Sequence, residues 1–354
     1  MISALMPTFF LRRTLLPLWI AAAFALGATP RLSADLTWSP ATGWQDAGAA
    51  ASGLAGPQGK AALELMNKAR RLEENGSWRS AIGAYEKVST KYRGSVYAPE
   101  ALFRAGLLYV KRHQYFKAFQ SYQQMIRSYP NTKRFNDAIG EQYKIAAMLL
   151  DGAHNRLWGI IPEFSNRTRG TEYFEVILID APYSDYAPLA LMDAARGYQL
   201  NKDTDQAIDA LDRLVNNYPQ SVLAPVAYLK LGDLHASLSE GPKYDQASTK
   251  EAMTYYEDYM ILYPGDSNIA VAAAGVDRMK TILAQSKIYI GDYYFYKRYN
   301  FAAAKVFYNE AITAYPDSKP AMLAKKRLAE LDAKVSKQNV NPTTKPKTKR
   351  FWLF

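Results

Sequence analysis

The stretch Tyr129-Pro130-Asn131-Thr132 decides the fold, because it marks the point where one helix stops and the next begins. Proline cannot continue a helix, since it lacks the N–H and its ring clashes with the preceding turn. The polar residue after it is of a type that caps the next helix. The signal returns at Ala181-Pro182-Tyr183-Ser184, Tyr218-Pro219-Gln220-Ser221, Tyr263-Pro264-Gly265-Asp266-Ser267 and Tyr315-Pro316-Asp317-Ser318. Such spacing predicts a repeat protein.

Between these signals, small and large apolar residues follow a helix–turn–helix frame. In the second unit the frame comprises Leu102, Ala105, Gly106 and Tyr109 on one helix and Ala118, Tyr122 and Met125 on the next. Small residues at Gly106 and Ala118 allow two antiparallel helices to approach closely, and larger residues fill the flanks. The frame resembles a tetratricopeptide repeat and fits six units. We therefore predict an all-α, tetratricopeptide-repeat α-solenoid of about six helix pairs with insertions.

Three units are longer than the others, and this predicts where the insertions lie. The third unit contains a loop with Gly152, Gly159 and Pro162, the fifth an insertion at 237–250, and the sixth an extra helix at about 268–286 that runs into a helix reaching Tyr296. The predicted segments are a signal peptide (1–34), an extended leader (35–59), N-terminal repeats (60–150), an insertion loop (151–168), C-terminal repeats with a capping helix (169–336) and a disordered basic tail with an aromatic end (337–354).

The first residues have the pattern of a secretory signal. Arg12 and Arg13 precede an apolar run from Leu15 to Ala28, and Leu32-Ser33-Ala34 offers a cleavage site. The run is too short to span a bilayer comfortably, which favours a signal peptide over the alternative, a transmembrane anchor. We expect an exported protein.

Cysteine usage and charge exclude several functions. The chain has no cysteine, which excludes disulfides, thiolate metal sites and a cysteine nucleophile. The net charge of +11 includes three arginines of the signal and six basic residues among the last 22, which leaves about +2 on the folded body. This argues against a nucleic-acid-binding domain, which would carry a basic stripe.

No catalytic constellation is evident in the sequence. The three histidines, His113, His154 and His235, lie far apart, whereas a metal site needs several ligands that converge. We predict a protein that is not an enzyme and has no cofactor, metal or small-molecule substrate. The alternative is a hydrolase, but no residues in the sequence support that activity.

Binding surfaces are therefore the expected functional sites. In a tetratricopeptide solenoid the first helix of each pair lines a groove, and the predicted groove residues are Met66, Arg70, Phe103, Leu107 and Lys111. The alternative is that they pack between repeats. The tail ends in Phe351-Trp352-Leu353-Phe354 after basic residues, which predicts a membrane or partner contact; a solubilising tail is the alternative.

Three stretches resemble the BamD-type outer-membrane assembly lipoproteins. The first is Leu72–Ile82, with its Gly-x-Trp-x-x-Ala-Ile pattern, and the second is the second unit through Tyr129-Pro130-Asn131-Thr132. The third runs from Leu283 through Tyr293-Tyr294-Phe295-Tyr296-Lys297-Arg298 to Tyr315-Pro316-Asp317-Ser318. The resemblance implies a periplasmic scaffold of the β-barrel assembly machinery. Its N-terminal repeats would recognise unfolded barrel proteins, and its C-terminal repeats would dock on the barrel-inserting subunit.

The resemblance also implies roles for individual residues. Substrate-side candidates are Arg70, Phe103 and Lys111, and docking candidates are Tyr293, Tyr294, Tyr296, Lys297 and Arg298. The family is anchored by a lipidated cysteine, which this chain lacks. We therefore expect a peripheral, indirect association with the outer membrane. The alternative is a generic periplasmic tetratricopeptide adaptor for envelope division or peptidoglycan enzymes.

Overall fold

Helices form most of the computed structural model, which describes residues 36–46, 57–164, 166–316 and 318–340. The predicted signal peptide and the terminal residues Phe351, Trp352, Leu353 and Phe354 lie outside the described residues. The described helices are α1 (Pro57–Glu74), α2 (Trp78–Lys91), α3 (Tyr97–Lys111), α4 (Tyr115–Ser128), α5 (Phe135–Leu150), α6 (Arg167–Asp180), α7 (Ala187–Leu200), α8 (Thr204–Asn217), α9 (Ala224–Leu238), α10 (Ala247–Leu262), α11 (Ile269–Asp292), α12 (Phe301–Ala314) and α13 (Lys319–Val340). The predicted all-α fold class is confirmed.

The tyrosine before each proline ends its helix, as the signal predicts. Tyr129, Tyr218, Tyr263 and Tyr315 follow the last residues of α4, α8, α10 and α12, with φ between −128° and −153°. The backbone thus leaves the helical region at these residues, as a following proline favours. Tyr92 ends α2 in the same way although Arg93 replaces the proline, so the turn does not depend on the ring.

The polar residue after the proline more often forms a hydrogen bond within the turn than caps the next helix. Thr132, Ser221 and Asp266 each accept a hydrogen bond from the backbone N–H two residues on. Only Ser318, among the described signals, caps the following helix by a bond to the third residue, Ala321 N (3.1 Å). The expectation that these residues cap helices is therefore wrong for Thr132, Ser221 and Asp266, because α5, α9 and α11 begin three residues after them, whereas a capping residue directly precedes its helix.

The chain divides into two compact units, Met1–Ala101 and Leu102–Phe354. In the first unit, α1 packs on α2, and residues of the predicted extended leader form a hairpin of β1 (Leu36–Ser39) and β2 (Gly43–Asp46). The hairpin is attached to α1: the buried Trp44 donates its backbone N–H to Asn67 Oδ1 (2.8 Å), and the Arg70 guanidinium lies 4.3 Å from the Trp38 ring. The two tryptophans thus anchor the leader on α1.

In the second unit, helices from α4 to α13 each pack on the next, and glycines facing tyrosines set several of these contacts. A Cβ added to Gly106, Gly232 or Gly291 would lie about 2.5–2.6 Å from the ring of Tyr122, Tyr256 or Tyr308, respectively. The ring of the second helix therefore fills the space that the glycine of the first leaves open. This explains the small residues of the repeat frame.

The insertions differ in kind. Where an insertion loop is expected, β3 (Arg156–Leu157) and β4 (Ile161–Pro162) pair as an antiparallel hairpin. The extra helix of the sixth unit is continuous with the helix that follows it, as α11. Within the described ranges, every helix is either too short or too polar to cross a lipid bilayer.

Candidate protein-binding surfaces

The aromatic segment after α11 is wound as a π-helical turn, Tyr293–Lys297, which we call the π-turn. Its i-to-i+5 geometry is seen in the bond from Arg298 N to Tyr293 O (3.2 Å). Asn300 then caps α12 by accepting from Ala303 N (3.1 Å). Such π-turns are rare and often occur at functional sites. Within this turn, consecutive aromatic side chains point to different sides.

The five predicted docking residues consequently separate. Tyr293, Lys297 and Arg298 are exposed. Tyr294 is half-buried and stacks on Phe307 with ring centroids 5.5 Å apart. The π-turn therefore presents one aromatic and two basic side chains to a partner.

Tyr296, although partly exposed, is held by α13. Arg327 Nη1 donates to Tyr296 Oη (2.7 Å), which donates to Glu330 Oε2 (3.0 Å). Arg327 also pairs with Asp292 (3.2 Å) at the end of α11. Burial and the bond to Glu330 raise the pKa of Tyr296, and the bonds from Tyr296 and Arg327 lower the pKa of Glu330. We call these four residues the α13 clamp; it ties the capping helix to the π-turn.

A second contact reinforces this attachment. The Lys334 ammonium of α13 lies 5.1 Å from the ring of Phe295, 5.6 Å from Tyr299 and 6.0 Å from Phe301. Cations over aromatic faces are attracted by the ring quadrupole. The exposed face of the π-turn therefore has a fixed support.

Tyr289 extends the exposed surface, and sequence reasoning missed it. It is exposed, lies one helical turn before Tyr293, and has the Lys243 ammonium 5.1 Å from its ring. The spacing of four residues on a helix would have placed it beside Tyr293. We call Tyr289, Tyr293, Lys297 and Arg298 the docking face.

The predicted groove residues of the first unit are both on α1. Met66 is fully buried, so its side chain belongs to the core of the first unit. Arg70 is half-buried and forms ion pairs with Glu73 (3.1 Å) and Glu74 (3.0 Å), besides its contact with Trp38. Arg70 thus has contacts in its own unit, and its role in a groove stays a prediction.

The groove residues of the second unit lie one turn apart on α3. Phe103 is buried, 5.6 Å from the Tyr122 ring and 4.9 Å below the Arg134 guanidinium. As a core residue it cannot offer its ring to a ligand. Leu107 is half-buried and Lys111 is exposed. These two remain the accessible members of the predicted set in this unit.

The three histidines have separate environments. His113 Nδ1 lies 3.0 Å from Tyr115 Oη, and His154 Nδ1 lies 2.8 Å from the Glu163 carbonyl oxygen. His235 is buried, 3.0 Å from Glu251 and stacked on Tyr255. Among the described residues no group of three potential metal ligands converges.

Two open clefts lie along the C-terminal repeats. One, of about 410 Å³, is lined by Asp233, Tyr256 and Arg278, among others; the Tyr256 hydroxyl donates to Asp233 (2.6 Å) and accepts from Arg278 (3.3 Å). The other, of about 920 Å³, separates the turns at Pro182 and Pro219. Both have polar groups suited to hydrogen bonds with a peptide backbone.

Two family models match the chain. The tetratricopeptide repeat model matches residues 100–132, which include α3 and α4, and the YfiO model, described as "Outer membrane lipoprotein", matches residues 165–345. The second match contains α6 to α13, the π-turn and the docking face. No curated protein matches the chain.

Several solved repeat proteins are similar in structure. A tetratricopeptide repeat protein from Parabacteroides merdae ATCC 43184 is 15% identical, covers 77% of this chain and 99% of its own, and has a TM-score of 0.31. MamA from Desulfovibrio magneticus RS-1 is 15% identical, with 60% and 99% covered and a TM-score of 0.31. The type IV pilus biogenesis factor PilW is 14% identical, with 75% and 98% covered and a TM-score of 0.27. Similarity at this level does not extend to function. Because the YfiO match spans just over half of the chain, this protein belongs to the YfiO outer membrane lipoprotein family.

Proposed function

We propose that this protein is a non-enzymatic periplasmic scaffold of outer-membrane β-barrel assembly. It binds the barrel-inserting outer-membrane subunit through its C-terminal repeats and unfolded barrel proteins through its N-terminal repeats. The observation that carries the proposal is the docking face, which lies inside the stretch matched by the YfiO model. Members of repeat families of this kind act through protein contacts, and no catalytic group is needed for that role.

The docking face has the chemistry of a protein-binding surface. Tyrosine and arginine are the residues that most often dominate binding energy at protein interfaces. Tyr293 supplies an exposed ring, and Lys297 and Arg298 add two positive charges beside it. The partner surface that fits is therefore apolar with acidic residues around it.

The α13 clamp supports this role by fixing the π-turn before a partner binds. A surface that is rigid in the free protein loses less conformational entropy on association. On the substrate side, Arg70, Leu107 and Lys111 are the residues we assign to unfolded barrel proteins, since Met66 and Phe103 are buried. The association with the outer membrane is peripheral, because the sequence contains no cysteine that could carry a lipid.

A crosslinking pull-down from native envelopes tests the proposal. The full chain is tagged and compared with the Tyr293→Ala variant. Tyr183→Ala is the matched control, since Tyr183 is an exposed tyrosine in the turn between α6 and α7. We expect the barrel-inserting subunit with the full chain and the control, and at least about tenfold less with Tyr293→Ala. Recovery of the full chain free of barrel subunits contradicts the proposal. Capture of division or peptidoglycan enzymes instead establishes the alternative adaptor role.

A further inference from the structure

The hairpin between α5 and α6 exposes large apolar side chains that the proposed function does not use. Its apolar tip consists of Leu157, Trp158, Ile160 and Ile161, and the exposed Phe164 follows the second strand. Trp158 is 61% exposed, Ile160 75% and Phe164 98%. Soluble proteins rarely expose contiguous apolar side chains on this scale without a binding function.

The hairpin backbone is held firmly on the turn between α3 and α4. Arg156 N donates to the His113 carbonyl (2.7 Å), and Arg112 Nη2 donates to the Trp158 carbonyl (2.6 Å). With its amide oriented to satisfy them, Gln114 accepts from the N–H groups of Trp158 (3.3 Å) and Gly159 (3.1 Å). The tip is thus a supported projection rather than a loose loop.

The base of the hairpin is equally well connected. The buried Asn155 accepts from Phe116 N (3.3 Å) and donates to Glu163 Oε2 (2.7 Å). Glu163 N donates in turn to the Asn155 carbonyl (2.8 Å). These bonds satisfy the polar groups near the apolar tip, so burying the tip in a nonpolar phase leaves few of them unpaired.

Charges around the tip are mainly positive. Between residues 152 and 171 the sequence has Arg156, Arg167 and Arg169 but only one acid, Glu163, which is bonded to Asn155. Arg112 adds a fourth guanidinium at the tip itself. Arg169 pairs with Glu172 (3.1 Å), whereas no ion pair within the described residues neutralises Arg156 or Arg167. The surface around the apolar side chains therefore favours an anionic partner.

We propose that the apolar tip inserts into an anionic phospholipid surface. A projecting turn with tryptophan and isoleucine at its end needs no complementary groove, which a protein partner would have to supply. Tryptophan is favoured at membrane interfaces, and arginine beside it pairs with lipid phosphates. Together the apolar tip and the three arginines without an ion pair among the described residues, Arg112, Arg156 and Arg167, provide the two signals, burial and charge, that stable peripheral binding requires.

Vesicle sedimentation of the full chain tests this inference independently of any protein partner. The tip variant combines Trp158→Asn, Ile160→Ser and Ile161→Thr; asparagine suits the left-handed backbone at Trp158 (φ 53°), and threonine suits a strand. The control variant removes three exposed apolar side chains elsewhere, by Ile179→Ser, Tyr183→Ser and Val222→Ser. Vesicles are phosphatidylcholine with or without phosphatidylglycerol.

We expect the full chain and the control to bind the anionic vesicles, with a blue shift of tryptophan emission, and the tip variant to bind at least about tenfold more weakly. Neutral vesicles should bind less of the full chain, of the control variant and of the tip variant. Circular dichroism is expected to show the same helix content in all three. The proposal is overturned if the full chain does not bind anionic vesicles, or if the tip variant binds within about twofold of the control.

Discussion

The ring of Tyr256 lies against the backbone of Gly275, so that a Cβ at this glycine would be 2.6 Å from Cε2. On its other edge, the same ring faces Gly232, where a Cβ would be 2.6 Å from Cε1. Tyr256 of α10 therefore fills the space between α9 and α11 and joins the fifth repeat to the sixth. Its hydroxyl is hydrogen-bonded to Asp233 and Arg278, and all three residues line the smaller cleft.

Gly275→Ala should therefore destabilise the protein although alanine is the better helix former. The helix propensity gain is about 0.5–1 kcal/mol. Overpacking against a buried ring costs about 1–3 kcal/mol, so we expect a lower free energy of unfolding in denaturant titrations. Gly83→Ala in α2 is the control, because a Cβ there meets nothing within 4 Å. A Gly275→Ala protein as stable as the wild type would show that α9 and α11 have room to move apart.

Loss of the hydroxyl should destabilise the protein at Tyr296 but have little effect at Tyr293. Tyr296→Phe removes bonds to two charged groups of α13, and we expect a loss of about 1.5–3 kcal/mol in the stability of the capping helix. Tyr293→Phe should be nearly neutral, since the Tyr293 hydroxyl makes no hydrogen bond within the described residues. Hydrogen exchange of α13 amides measures the difference. Equal protection in the two variants would contradict the α13 clamp.

The tail leads to a separate prediction. Deleting Phe351–Phe354 should lower the membrane-bound fraction, because it removes four large apolar residues that follow a basic stretch. The unfolding transition of the folded body should not change. Deleting the four residues 343–346 provides a control of equal length. Unchanged membrane fractionation after loss of Phe351–Phe354 would favour the solubilising tail.

Local signals in the sequence are sufficient to predict where the helices end, because a proline restricts the backbone of the residue directly before it. They were insufficient where a residue's role depends on a distant partner. Met66 and Phe103 fit a groove register as well as a core register, and only burial distinguishes the two. Tyr296 differs from Tyr293 through Arg327, which is 31 residues away in the sequence. The hairpin at residues 36–46 is too short for a periodic signal.

Gly43 offers a test of that hairpin. Its φ is 73°, and a Cβ there would lie 2.7 Å from Asn67 Oδ1, the atom that accepts the Trp44 N–H. Gly43→Ala should cost about 1–2 kcal/mol through the left-handed backbone alone, and it also displaces the Asn67 side chain. We expect the hairpin to detach, with a red shift of tryptophan emission as the buried Trp44 meets water. Gly76→Ala, also at positive φ but with open space around it, separates backbone strain from the Asn67 contact. Unchanged emission would indicate that Asn67 does not hold the hairpin.

The α13 clamp should also weaken in acid. The bonds from Tyr296 and Arg327 lower the pKa of Glu330, so its ionised form stabilises the folded state. This stabilisation is complete above the unfolded pKa of about 4.3 and is lost as the pH falls through the lower folded pKa. The difference in Tm between the wild type and Glu330→Gln should be constant above about pH 5 and shrink below about pH 4. Glu240→Gln is the control, because Glu240 is exposed and has no ion pair among the described residues. A difference that persists unchanged at acidic pH would mean that Glu330 acts through packing and not through its charge.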